Sequence, residues 1–199
     1  MSADFSQAGS VHLASHFVQA SAQRQKTHNQ QCEWAVSNEI AHFQNQANEM
    51  TFMNVKEIKE NKKRYIGLLL LADEQEDMID RYLEKGTMYV LEDDGVKAEC
   101  VVLDMGGGVL EIKNIATVPP YQGKGYGKAL IEFIVQKYQG EYAVLQVGTG
   151  DSPATIPFYE KCGFMRSHRI KNFFVDNYDH TIYDGGVQLI DMVYLQKNI

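Results

Sequence analysis

Gly123, Gly125 and Gly127 fall at alternate positions, with Gln122 in front of them and Lys124 and Lys128 interleaved and following. Leu110 to Val118 reads as a strand and Lys128 to Gln139 as a helix, so Gln122-Gly123-Lys124-Gly125-Tyr126-Gly127 is a glycine-rich turn between them. Such a turn aims several unpaired backbone N–H groups, and the positive end of the helix dipole, at one spot. A pyrophosphate suits that spot. Spacing excludes two common phosphate loops: a P-loop ends in Gly-Lys-Ser/Thr, but Lys124 is followed by Gly125 and Lys128 by Ala129. A dinucleotide fingerprint runs G-x-G-x-x-G, whereas these glycines run G-x-G-x-G. A tight connection that binds nothing would use the same glycines, so the residues downstream have to separate the two readings.

A third pattern, Q/R-x-x-G-x-G/A, fits Gln122, Gly125 and Gly127 without adjustment. Downstream, Glu141 to Gly148 reads as a strand and Pro153 to Cys162 as a short helix, which closes on Phe158-Tyr159-Glu160-Lys161-Cys162-Gly163-Phe164, an F/L-Y-x-K-x-G-F run. The two motifs in this order resemble those of the GCN5-related N-acetyltransferase (GNAT) family, over roughly Met53 to Ile199, and the chain looks most like small bacterial members. The resemblance implies an α/β fold: a mixed, mostly antiparallel central sheet with a parallel pair at its fourth and fifth strands, flanked by helices. It also implies an enzyme with acetyl-coenzyme A as cosubstrate, moving the acetyl group to a primary amine by direct attack in a ternary complex. Two alternatives stand beside it: a non-catalytic acyl-coenzyme A binding or interaction module, and an acetyltransferase for protein lysines or N-termini.

Acetyl transfer to an amine needs the amine neutral, although an alkyl amine with a pKa of about 10 is protonated near pH 7, so a proton acceptor is required. Glu111 lies eleven residues before Gln122, the spacing of the glutamate base in several family members, and partial burial would raise its pKa toward that task. Tyr159 matches the family tyrosine that stands near the sulfur and gives the departing thiolate a proton. By the same resemblance, Ala116, Thr117 and Val118 supply a backbone N–H to the acetyl carbonyl and pair with the pantetheine arm. Gly123, Lys124, Gly125, Tyr126, Gly127 and Lys128 would take the pyrophosphate. Many members carry an asparagine seven residues before the tyrosine; Ser152 stands there instead and is expected to replace one of its hydrogen bonds to the cosubstrate.

The elements that must position these residues follow from pattern. Met53 to Ile58 alternates like an opening strand; Lys62 to Ala72 and Gln75 to Lys85 read as helices, the second stopped by Gly86. Strands follow at Met88 to Leu91, Lys97 to Asp104 and Val109 to Val118, and strand-like stretches at Phe164 to Phe174 and Gln188 to Gln196 close the order. Pro153 fits a first helical turn capped by Asp151 or Ser152, whereas Pro157 is expected to kink or shorten its helix. The acidic, aromatic stretch Phe173 to Asp184 reads either as the wall of an amine pocket or as a polar hairpin loop, and His180 within it is an alternative base.

Residues 1–52 differ from the rest in being rich in Gln, Asn, Ala and His, and read as an N-terminal extension to a 53–199 catalytic domain, an added module or a stretch foreign to the natural protein. Val36, Ile40, Phe43, Ala47 and Met50 make an amphipathic helical stripe, which docks on the core, pairs with a second copy in a homodimer, or stays partly disordered. His12 and His16 lie one helical turn apart, but read better as solvated polar residues than as metal ligands. The 199 residues, 44% hydrophobic, suffice for one core without metal or disulfide. Cys32, Cys100 and Cys162 are isolated, which suits a reducing cytoplasm, and Cys162 reads as a packing residue before Gly163. No secretory leader or membrane span is visible, and a formal charge of −7 disfavours nucleic acid and suits a small-molecule or peptide amine.

Overall fold

The computed structural model describes residues 54–199, and the readings made on residues 1–53 lie outside the described residues. Strands β1 (Asn54–Ile58), β2 (Thr87–Glu92), β3 (Val96–Gly106), β4 (Val109–Thr117), β5 (Val144–Gly150), β6 (Met165–Ile170) and β9 (Met192–Asn198) form a seven-stranded sheet in the order β1-β2-β3-β4-β5-β9-β6. β7 (Tyr183–Asp184) and β8 (Val187–Gln188) make a separate small hairpin. β4 and β5 run parallel and every other pairing in the large sheet is antiparallel, as the resemblance implied.

Helices cover both faces. Helix α3 (Tyr126–Tyr138) turns Tyr126, Ala129, Leu130 and Ile134 inward at helical spacing. These meet Tyr89, Cys100, Leu110, Ile112 and Leu145 in one buried cluster. The opposite face of β2 and β3 is covered by α1 (Ile66–Leu69) and α2 (Glu76–Asp80), whose Leu69 and Ile79 join Leu83, Met88, Val90 and Val101 in a second.

Both opening helices are shorter than their apolar patterns suggested. Residues Lys62–Tyr65 are a 3₁₀ turn before α1, and α2 ends at Asp80, although Gln75 to Lys85 read as helix. Lys62 accounts for part of this: its buried ammonium donates to the carbonyls of Leu83 (2.9 Å), Glu84 (3.2 Å) and Gly86 (2.7 Å), satisfying main-chain acceptors at the end of that segment from outside it. The helix read over Pro153 to Cys162 begins later, as α4 (Ile156–Lys161), with Pro157 comfortable in its first turn, where no N–H is needed. The strand read to Phe174 ends at Ile170, and α5 (Phe173–Asn177) follows. No helix among the described residues is long and apolar enough to cross a membrane.

Candidate active site

The central feature is a parting of two strands. β4 pairs with β5 only from Val109↔Val144 to Ile112↔Val147, so the rest of β4, from Lys113 to Thr117, presents one edge to a gap. A cavity of about 480 Å³ extends from that gap, and Glu111, Thr117, Gln122 and Tyr159 all line it.

At the mouth of the gap the chain turns through Pro119–Tyr121 into the glycine run. Gly125 has φ 93° and precedes the helix, a conformation that a side chain resists. Among the described residues the N–H groups of Gly123, Lys124, Gly125, Gly127 and Lys128 make no backbone hydrogen bond, and Ala129 donates to the Gly125 carbonyl at 2.9 Å. Gln122 reaches back from the same turn, its Nε2 donating to the Thr117 carbonyl at 3.2 Å. The two sequence motifs touch here: a Cβ on Gly127 would lie 3.2 Å from Cζ of Phe158 and 3.5 Å from Oγ1 of Thr117. Gly127→Val is therefore expected to displace the Phe158 ring, destabilise the fold by about 1–3 kcal/mol and weaken cosubstrate binding. Thermal melts and a coenzyme titration would check this.

The strand edge corrects one expectation. Val118 donates its N–H to the Lys97 carbonyl at 2.8 Å, and Ala116, two residues earlier and in register with Glu99, faces β3 by the same alternation. Their N–H groups are spent on the sheet. Ile115 and Thr117 turn their peptide edges the other way, into the gap, so of the three residues expected there Thr117 keeps that position and Ile115 joins it.

Tyr159 stands in α4 with its ring edge-on to Phe158 (5.1 Å) and to Phe164 (5.8 Å). Its hydroxyl makes no hydrogen bond among the described residues, and burial pushes its pKa well above the ordinary phenol value, with Cys100, Cys162 and Glu99 adding to the shift. Glu111 is buried, its Oε1 accepting from Lys113 Nζ (2.7 Å) and its Oε2 from Gln146 Nε2 (2.7 Å). Gln196 holds Gln146 in turn, at 3.2 Å. Burial, and then the charge of Glu111, push the neighbouring Tyr194 hydroxyl up to about 12. Lys113 is a partner that the spacing of Glu111 gave no reason to expect.

Ser152 departs from its expected role. It is buried, its Oγ accepts from the Ala154 N–H (3.0 Å) and donates to the Asp184 carbonyl (3.4 Å), and it fastens the turn before α4 to the β7 strand. Lys128 lies 3.6 Å from Glu132, and Lys124 sits over the Tyr121 ring at 5.2 Å. His180 is bound by Asp179 (2.6 Å) and Glu74 (3.4 Å) outside the cavity that Tyr159 lines, and Cys162 keeps its packing position before Gly163.

Comparison with known proteins bears on this arrangement. Residues 84–166 match the acetyltransferase (GNAT) domain family. The chain is 34% identical over 155 residues to the uncharacterised N-acetyltransferase YvbK of Bacillus subtilis (strain 168), covering 74% of this chain and all of that one. The chain belongs to the GNAT family. Among solved GNAT structures, a family acetyltransferase from Elizabethkingia anophelis with acetyl-CoA bound superposes with a TM-score of 0.71 at 30% identity, over 74% of this chain and 99% of that one. A Bacillus subtilis acetyltransferase in complex with CoA gives 0.68 at 33%, again over 74% and 99%.

Within this GNAT fold the cavity also gathers residues that no motif announced: Asp73 and Tyr82 from the segments that follow α1 and α2, Asn114 from β4, and Phe174 and Tyr178 from the segment after β6. Asn114 Nδ2 donates to the Leu69 carbonyl (3.1 Å) and the Tyr82 hydroxyl (2.8 Å), tying β4 to the helices above it. Only the acidic and aromatic composition of Phe173 to Asp184 hinted at this wall.

Proposed function

We propose that the protein transfers the acetyl group of acetyl-coenzyme A to a small primary amine, which attacks the thioester directly. Acetyl-coenzyme A supplies the activated acetyl group. The N–H groups of Gly123, Lys124, Gly125, Gly127 and Lys128, which make no backbone hydrogen bond among the described residues, are suited to its diphosphate, with the helix α3 dipole behind them and Lys124 and Lys128 adding charge. The open edge of β4 at Ile115 and Thr117 suits an extended amide chain. Glu111 takes the proton that the attacking amine sheds, directly or through water, while Lys113 and Gln146 hold its carboxylate in place. Tyr159 faces the departing sulfur with a free hydroxyl. The observation that carries this reading is that one cavity joins Gln122, beside the cradle, to Thr117, Tyr159 and Glu111.

The test is thiol release with acetyl-coenzyme A and a panel of small amines, with acetylated products identified by mass spectrometry. Turnover of at least one amine is expected, as is a loss of about 10²-fold in kcat for Glu111→Gln at neutral pH. Absence of thiol release with every small amine would defeat the proposal. We further assign the activity to the 53–199 unit, so a chain starting at Met53 should keep acetyl-coenzyme A binding.

A further inference from the structure

Asp73 lies on the loop after α1 and lines the cavity, and its carboxylate is held by two tyrosines. Tyr178 donates its hydroxyl to Oδ1 at 3.1 Å and Tyr82 donates to Oδ2 at 3.4 Å. The two tyrosines come from separate parts of the chain, one from the segment that follows α5 and the other from the segment that follows α2. Neither brings a charge. No cation pairs with Asp73 among the described residues: His180 is taken by Asp179 and Glu74, and Arg81 lines the cavity without an ion pair to it. A carboxylate fixed by neutral donors in a cavity also lined by Phe173 and Phe174 offers negative charge and aromatic rings together, the combination that recognises an alkylammonium group. The amide oxygen of Asn114, a buried residue lining the same cavity, also has no hydrogen-bond partner.

The nitrogen that is acetylated cannot be the one Asp73 holds. A carboxylate in contact with an ammonium stabilises its protonated form, and the attacking nitrogen must be neutral. Glu111, at the reacting end, already carries Lys113 at 2.7 Å and so presents far less net negative charge than Asp73. The cavity is thus asymmetric, with a charge-compensated carboxylate where the proton has to leave and an uncompensated one elsewhere.

Resting on the acetyltransfer reading above, we propose that Asp73 anchors a second, non-reacting ammonium group of the acceptor, which makes the substrate a diamine or a longer oligoamine. Tyr82 and Tyr178 are positioning residues for the carboxylate. Because Asp73 is part-buried, burial lifts its carboxyl above the usual range despite the tyrosine hydrogen bonds, and a bound cation offsets that desolvation.

The test is steady-state kinetics with acetyl-coenzyme A and two acceptors of matched length, 1,5-diaminopentane and pentylamine, on the full chain, Asp73→Asn and Tyr178→Phe. The unaltered protein should prefer the diamine by at least tenfold in kcat/KM. Asp73→Asn should raise the diamine KM by about 10- to 100-fold, the range expected for losing one charge-assisted contact, with kcat within about twofold and the pentylamine constants unmoved. Tyr178→Phe keeps the charge and should raise the diamine KM by a smaller factor. Equal use of both amines by the unaltered protein, or an Asp73→Asn variant with an unchanged diamine KM, overturns the anchor while leaving acetyl transfer standing. A fall in kcat on both amines assigns Asp73 to the reacting nitrogen and overturns it as well. If the unaltered protein turns over no amine at all, the acetyltransfer reading fails and takes the anchor with it.

Discussion

Tyr159→Phe is expected to lower kcat for acetyl transfer by about 10²- to 10³-fold, the usual cost of removing one donor aimed at developing charge. The KM for acetyl-coenzyme A should stay within about twofold, because the ring contacts with Phe158 and Phe164 survive the substitution. The raised pKa refines the role. A thiol near pKa 8.5 leaves as a thiolate that is a far weaker base than a tyrosinate whose pKa burial has pushed up, so full proton transfer from Tyr159 is uphill. On the proposed mechanism the hydroxyl would therefore keep its proton and donate a hydrogen bond as negative charge gathers on sulfur. Two measurements follow. Single-turnover rates with a saturating amine should show the loss in the chemical step, and the pH profile of the unaltered protein should carry no limb below pH 10 that Tyr159→Phe abolishes. A phenylalanine variant running at full rate would remove the residue from the mechanism.

Some of this site was readable from local sequence because its determinants are local. The cradle needs only a strand, closely spaced glycines and a helix start, and Gln122 to Lys128 supply them within one turn. The Phe158 to Gly163 run likewise sets a helix and its end within a few residues. What depended on register was less legible. Whether Ala116 or Thr117 offers its N–H to the gap is decided by how β4 pairs with β3, and a one-residue change of phase exchanges them. By resemblance Ser152 replaces a family asparagine, whereas its hydroxyl is engaged by Ala154 and by Asp184, 32 residues away. Asp73 and Tyr178 meet across 105 residues, a juxtaposition that no periodicity encodes. The patterns over Lys62 to Ala72 and Gln75 to Lys85 overextend both helices because an apolar stripe marks the buried face but not where the main chain exchanges helical hydrogen bonds for the Lys62 ammonium.

Glu99 was invisible for a related reason: within Lys97-Ala98-Glu99-Cys100-Val101 a lone glutamate reads as the solvent side of an alternating strand. Here both faces of β3 are covered. Glu99 is fully buried, in register between Val90 and Ala116, and neither carboxylate oxygen has a hydrogen-bond partner. Desolvation raises its pKa from 4.5 to about 8, against the lowering effect of the Ala116 backbone, so burial favours the neutral carboxyl near pH 7. Between about pH 4.5 and 8 the folded state keeps a proton that the unfolded chain has released. Stability therefore falls as pH rises through that window and levels off above it. A shift of this size corresponds to roughly 5 kcal/mol across the window, enough to move the melting temperature by about 10 °C or more. Glu99→Gln isolates the effect, since the amide has nearly the same shape and does not titrate. Whatever constant offset the amide introduces, the stability of the variant relative to the unaltered protein should climb from pH 5 to about 8 and level off above that, as measured by denaturant titration at each pH. All other titrating groups are shared and cancel in the difference. Parallel stability curves for the two proteins would mean that Glu99 is ionised in the fold at neutral pH and has a compensating partner.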